Sequence, residues 1–170
     1  MSSGRKRAKG RAKKAGLPPG TPVYIGQPKV AQVHCRAYLY NQTTLEERTL
    51  RPEECATLCR EGSILWLDVV GLHDVEAIRT LAEAFHLHPL TLEDILNTHQ
   101  RPKAEEYEGY LYLVLRMLTY DTHAQRIESE QVSLIIGEDF VLSFQEREGD
   151  VFEPVRERLR TAQSRLRTRG

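Results

Sequence analysis

At 170 residues, 40% of them hydrophobic, the chain is sized for one domain with a substantial core. Its formal net charge is zero but unevenly spread: seven of the 24 Lys and Arg precede Leu17 with no acid among them, leaving 17 basic against 24 acidic residues in the body. An acidic body gathers cations and disfavours nucleic acid; three cysteines make no disulfide framework, and no run of about eighteen apolar residues offers a membrane helix.

Residues 1–15 show no hydrophobic periodicity and are expected to form a disordered basic arm, used either as a solvated tail or against nucleic acid or anionic lipid headgroups. With no apolar stretch behind it, the arm does not read as a secretory signal. Gly16-Leu-Pro-Pro-Gly-Thr-Pro22 is a turn-rich entry. Val33–Tyr40 reads as a strand, and Arg51-Pro52-Glu53-Glu54 opens a short helix with Pro in its first turn. Ser63–Val70 is nearly continuous in apolar residues, as in a strand covered on both faces. Asp74 then caps a helix whose Ile78, Leu81, Ala82 and Phe85 follow helical spacing.

A second helix is expected from Thr91, with Thr91 as its N-cap and Asp94 at the third helical position, reaching back to the cap. Glu93 lies beside it in the first turn, where negative charge complements the helix dipole. Capping alone explains both acids. The same geometry also allows one carboxylate to face outward, as one half of a weak site for a hard cation that prefers oxygen and keeps most of its waters. Gln100-Arg-Pro-Lys103 stops the helix, and Ala104–Glu108 is an acidic patch read as a solvated face.

Three strands follow, Tyr110–Tyr120, Glu130–Ile136 and Phe140–Gln145, joined by short polar turns that make antiparallel hairpins. Asp150 and Glu153 form a capping-box-like start for a final helix with Val151, Val155, Leu159, Ala162 and Leu166 as its apolar stripe and an exposed arginine face. That helix looks cut at Gly170 rather than finished.

Other constellations are weaker. Cys55 and Cys59 stand four apart and could share a metal, or be small core residues; His86, His88 and His99 lack a partner at diagnostic spacing. Asp68 ends a buried strand with no base or nucleophile to match it, and no phosphate loop, nucleophile elbow or zinc-protease motif occurs, so no enzyme is expected.

His88-Pro-Leu-Thr-Leu-Glu-Asp-Ile-Leu96, Gln100-Arg-Pro-Lys103, Glu128-Ser-Glu-Gln-Val-Ser-Leu134, Phe144-Gln-Glu and Gly149-Asp-Val-Phe-Glu-Pro-Val-Arg-Glu-Arg158 occur in this order. Together they resemble the N-terminal cytoplasmic domain of the CorA family of magnesium and cobalt channels, across residues 16–170. The resemblance implies an α/β fold, a three-layer α/β/α sandwich with a mixed, partly antiparallel sheet. It also implies assembly as a homopentamer below a membrane pore, with regulatory Mg2+, and Co2+ as a second ion, bound between neighbouring domains to hold the channel closed. The positions matching the family's sensing acids are Asp94 first and Glu93 beside it. The chain departs from the family in lacking the Gly-Met-Asn filter, the membrane spans and the stalk helix that carries the opposing acids, so it is expected to be truncated before them. No nucleic-acid partner is expected. A related zinc transporter and a free-standing soluble cation-binding module remain alternatives.

Overall fold

The strands are β1 (His34–Tyr40), β2 (Leu45–Leu50), β3 (Ile64–Val70), β4 (Lys103–Tyr107), β5 (Tyr110–Asp121), β6 (Arg126–Gly137) and β7 (Phe140–Gln145), with period-two burial clearest in β4 and the first half of β5. The helices are α1 (Pro52–Cys55), α2 (Val75–Ala84), α3 (Pro89–Leu96), α4 (Glu153–Arg160) and α5 (Arg165–Arg169). The computed structural model describes residues 16–58, 62–162 and 164–169, so the basic arm and Cys59 lie outside the described residues. The strands form one sheet in the order β2-β1-β3-β7-β6-β5-β4. Every neighbouring pair is antiparallel except β3 and β7, which run parallel.

Both faces of β3 are covered, as its apolar run requires. Leu65, Leu67 and Val69 join Ile78 and Leu81 of α2, Ile95 and Leu96 of α3, and Leu142 and Phe144 of β7 in the larger core. Trp66 points the other way, into a smaller cluster with Tyr38, Tyr40 and Leu159. Val155 and Leu166 close this cluster from α4 and α5. The expected three-layer α/β/α sandwich with a mixed sheet is therefore the fold.

Charged edges hid two strands. In β2 the four central residues Glu46–Thr49 are exposed, so no apolar alternation announces it; Asn41 Oδ1 accepts from Thr43 and Thr44 N–H at 2.9 and 2.8 Å and turns the chain from β1. The segment read as a solvated acidic patch is largely β4, the opposite edge. Charges on both outer strands discourage pairing with another sheet.

The last helix departs from expectation. It breaks after Arg160, where Thr161 adopts an extended conformation, and resumes as α5. Thr161 Oγ1 donates to the Glu157 carbonyl at 3.1 Å, and Ser164 N–H bonds back to the Thr161 carbonyl. Such local hydroxyl and turn bonds compete with helix propagation. Val151, placed in the apolar stripe by its spacing, is 59% exposed, and Ala162 is exposed as well. Nor is the arginine face uniformly exposed, since Arg156 and Arg167 are buried. Phe152, not Asp150, is the N-cap.

Asp150 serves a buried network instead. Asp68, fully buried, accepts from Ser143 Oγ at 2.8 Å, Gln145 Nε2 at 3.0 Å, Arg36 Nη2 at 2.8 Å and Arg156 Nη2 at 2.7 Å. Asp150 accepts from Phe152 N–H at 2.7 Å, Gln145 Nε2 at 2.8 Å and both terminal nitrogens of Arg156 at 2.5 and 2.9 Å. Two guanidinium groups thus face two carboxylates under α4, and the lone acid of β3 is a structural partner.

Candidate cation site at helix α3

Pro89 starts α3 because its fixed φ and missing N–H suit the first helical position. The N-cap is His88, whose Nδ1 accepts from Leu90 N–H at 3.2 Å. This overturns Thr91 as the cap. Thr91 is buried, and its hydroxyl meets Tyr110 Oη at 2.8 Å, while His88 N–H donates to the same oxygen at 3.0 Å. With the helix starting earlier, Glu93 and Asp94 fall in the second turn. Asp94 therefore forms no capping box, and helix-end chemistry no longer explains it.

The backbone around Asp94 is pinned from several sides. Its carbonyl accepts from Gln131 Nε2 at 3.2 Å, and Gln131 Oε1 accepts from Gln100 N–H at 3.0 Å. Arg116 donates to the Thr98 and Gln100 carbonyls at 3.2 and 2.6 Å, fixing the loop that follows. On the near side the entry segment lies across α3. Ile25 N–H donates to the Leu96 carbonyl at 2.9 Å, and Thr98 Oγ1 donates to the Ile25 carbonyl at 3.0 Å.

The two acids turn apart. Glu93 Oε2 accepts from Gly20 N–H at 2.5 Å. Gly20 suits this place because its φ is +82° and a Cβ there would come within 3.3 Å of Pro89 Cβ. Asp94 Oδ1 accepts from the Gln100 side-chain amide, and Oδ2 accepts from Lys103 Nζ at 2.5 Å. The Asp94 side chain is 16% exposed, so it keeps a face to solvent. Lys103 also reaches Glu105 Oε1 at 2.8 Å. Burial pulls the Lys103 ammonium down, yet hydrogen bonds to Asp94 and Glu105 outweigh it and hold the group above its ordinary value.

Hydrated Mg2+ binds through one or two carboxylates and keeps several waters. Asp94 offers one carboxylate at the surface, on a rigid backbone. Among the described residues no three His, Cys, Asp or Glu groups converge as a metal cage. Asp94 is thus a single carboxylate donor, fewer groups than a closed metal site needs.

Among the described residues, the other sequence candidates are not brought together as a metal-holding group. His88 caps α3 and lies 5.4 Å from the Tyr107 ring, while Cys35 and Cys55 are buried core residues. Sequence reasoning missed Lys103 and Gln131. The signal for Lys103 was present in Lys103, Glu105 and Tyr107, half-buried at alternating positions along β4.

A three-layer α/β/α domain presenting a positioned carboxylate at a helix surface is the class this architecture defines. The family described as CorA-like Mg2+ transporter protein matches residues 61–170. The chain belongs to this family. It is 45% identical over 148 residues to the cobalt/magnesium transport protein CorA of Thermotoga maritima, covering 86% of this chain and 42% of that protein. The chain therefore spans less than half the length of that relative. Among solved structures, full-length CmaX superposes with a TM-score of 0.62 at 17% identity, over 81% of this chain and 42% of that one. The soluble domain of CorA from Methanocaldococcus jannaschii gives 0.53 at 13% identity, over 78% and 47%. Likeness at such identity concerns the fold alone. Among the described residues no helix is long and apolar enough to cross a membrane.

Proposed function

We propose that the chain is the Mg2+-sensing regulatory domain of a CorA-type magnesium and cobalt channel, on the cytoplasmic side of a homopentameric membrane protein. The observation that carries this reading is Asp94, a carboxylate on a pinned helix that capping does not explain and that keeps a face to solvent beside its bonds to Gln100 and Lys103. Asp94 is the first ligand, with Glu93 beside it once its carboxylate leaves Gly20 N–H. An acid of a neighbouring copy completes the site. A bound Mg2+ supplies the positive charge that offsets acids on two copies. The bridged arrangement is favoured by as much as the ion prefers it over separated domains. A carboxylate oxygen as the donor suits Mg2+ better than Zn2+, which favours His and Cys ligands.

The test is Asp94→Asn in the full-length protein, following protection from proteolysis as Mg2+ is raised. Half-protection is expected to need about tenfold more Mg2+, the loss of one charged oxygen ligand being worth roughly 1.4 kcal/mol or more. An unchanged midpoint removes Asp94 from the site.

A further inference from the structure

We infer that Lys103 is a tethered competitor for the cation at Asp94, its ammonium sitting on the carboxylate when no divalent ion is bound and withdrawing to Glu105 when one is. This rests on the reading of Asp94 as a ligand, and adds to it a residue that sets the threshold and the charge selectivity of the site.

Lys103 Nζ lies 2.5 Å from Asp94 Oδ2 and 2.8 Å from Glu105 Oε1, so the ammonium is already shared between two acids. Its backbone is fixed, since Lys103 opens β4 in register with Val114 of β5. Only the side chain has to move. Release strands no charge: the ammonium keeps Glu105, and the ring of Tyr112, whose centroid lies 5.5 Å away, remains beside it. Asp94 meanwhile exchanges a single positive charge for a double one, and the Gln100 amide still holds its other oxygen.

Two properties follow. A divalent ion must do the work of displacing Lys103, so the apparent affinity is lower than that of a bare carboxylate. A monovalent ion brings no more charge than the ammonium it would replace, and that ammonium is already tethered beside the carboxylate, so it gains little at Asp94. Lys103 is thus a filter by charge as well as a threshold.

The test is a Mn2+ titration of the 15N-labelled chain at fixed ionic strength, reading paramagnetic broadening of the amides of residues 93–95 and 100–103; Mn2+ shares the oxygen preference of Mg2+. Lys103→Gln should reach half-broadening at about tenfold lower Mn2+ than the unaltered chain. Lys103→Arg, which keeps the charge, should stay within about twofold. Asp94→Asn should abolish the broadening with either residue at 103. An unchanged or weakened response in Lys103→Gln, with Asp94→Asn still silent, overturns the competitor role and leaves Asp94 as a ligand. Broadening that survives Asp94→Asn overturns the ligand reading itself. Lys103→Met, and agreement of all other amide shifts with the parent spectrum, separate lost competition from lost folding.

Discussion

Arg156→Ala is expected to lower the stability of the chain by about 3–5 kcal/mol, read as the shift in urea unfolding free energy. The guanidinium is buried against Asp68 and Asp150 and stacks 5.2 Å from the Trp66 ring centroid. Truncation leaves two buried carboxylates with Arg36 as their remaining cation, and empties space between α4 and the sheet. Arg158→Ala, two residues along and exposed, should change stability by less than about 0.5 kcal/mol.

The same network shapes the acid limb. Burial pushes the Asp150 carboxyl up, but hydrogen bonds from Arg156, Gln145 and the Phe152 N–H outweigh it and hold the group down at about 2. Because the folded value lies below that of an unfolded aspartate, near 3.9, this stabilisation is complete above that pH. It is lost as pH falls through about 2, and amounts to roughly 2 kcal/mol. Asp68 moves the other way, since burial raises it against the Ser143 hydroxyl and the guanidinium groups of Arg36 and Arg156. Protonation of Asp68 on acidification therefore favours the fold. Asp150→Asn should flatten the fall in unfolding free energy between about pH 4 and 2, measured by urea titration at each pH; an unaltered slope would show that Asp150 titrates normally.

The second large effect lies in the core beneath helix α3. Ile95→Ala is expected to cost about 2–5 kcal/mol, whereas Ile95→Val should cost about 0.5–1.5 kcal/mol. Ile95 is fully buried in the larger core, one residue beyond Asp94, and anchors α3 to the sheet. A small loss on truncation to alanine would mean that the helix settles into the vacated space.

What could be read from the chain depended on how local each signal was. β3 was legible because Leu65–Val70 is covered on both faces and carries its evidence in consecutive residues. Asp68 within it was not, since its partners stand at positions 36, 143, 145 and 156, and no spacing links them. β2 and β4 escaped as strands because edge positions are filled with charge. The start of α3 was misplaced by three residues because Thr91 has the chemistry of a cap, and only the fold brings Tyr110 to its hydroxyl. Glu93 and Asp94 stand out in the sequence as adjacent acids, while their separate commitments, to Gly20 and to Lys103, depend on an entry segment and an edge strand that pack against α3 from different directions.

The single parallel pairing in the sheet has a consequence for the order in which the chain matures. β1, β2 and β3 form one antiparallel unit within residues 34–70, with β1 in the middle, and β4 to β7 form a meander within residues 103–145. Each closes within its own stretch of chain, at modest entropic cost. Their junction, from Leu65 opposite Phe140 to Val70 opposite Gln145, joins segments 75 residues apart in the chain. During synthesis the inner edge of β3, rich in Leu, Trp and Val, therefore waits unpaired until β7 has left the ribosome. The interval between those two events, rather than the formation of any helix, is when this domain is most exposed to association with the wrong strand.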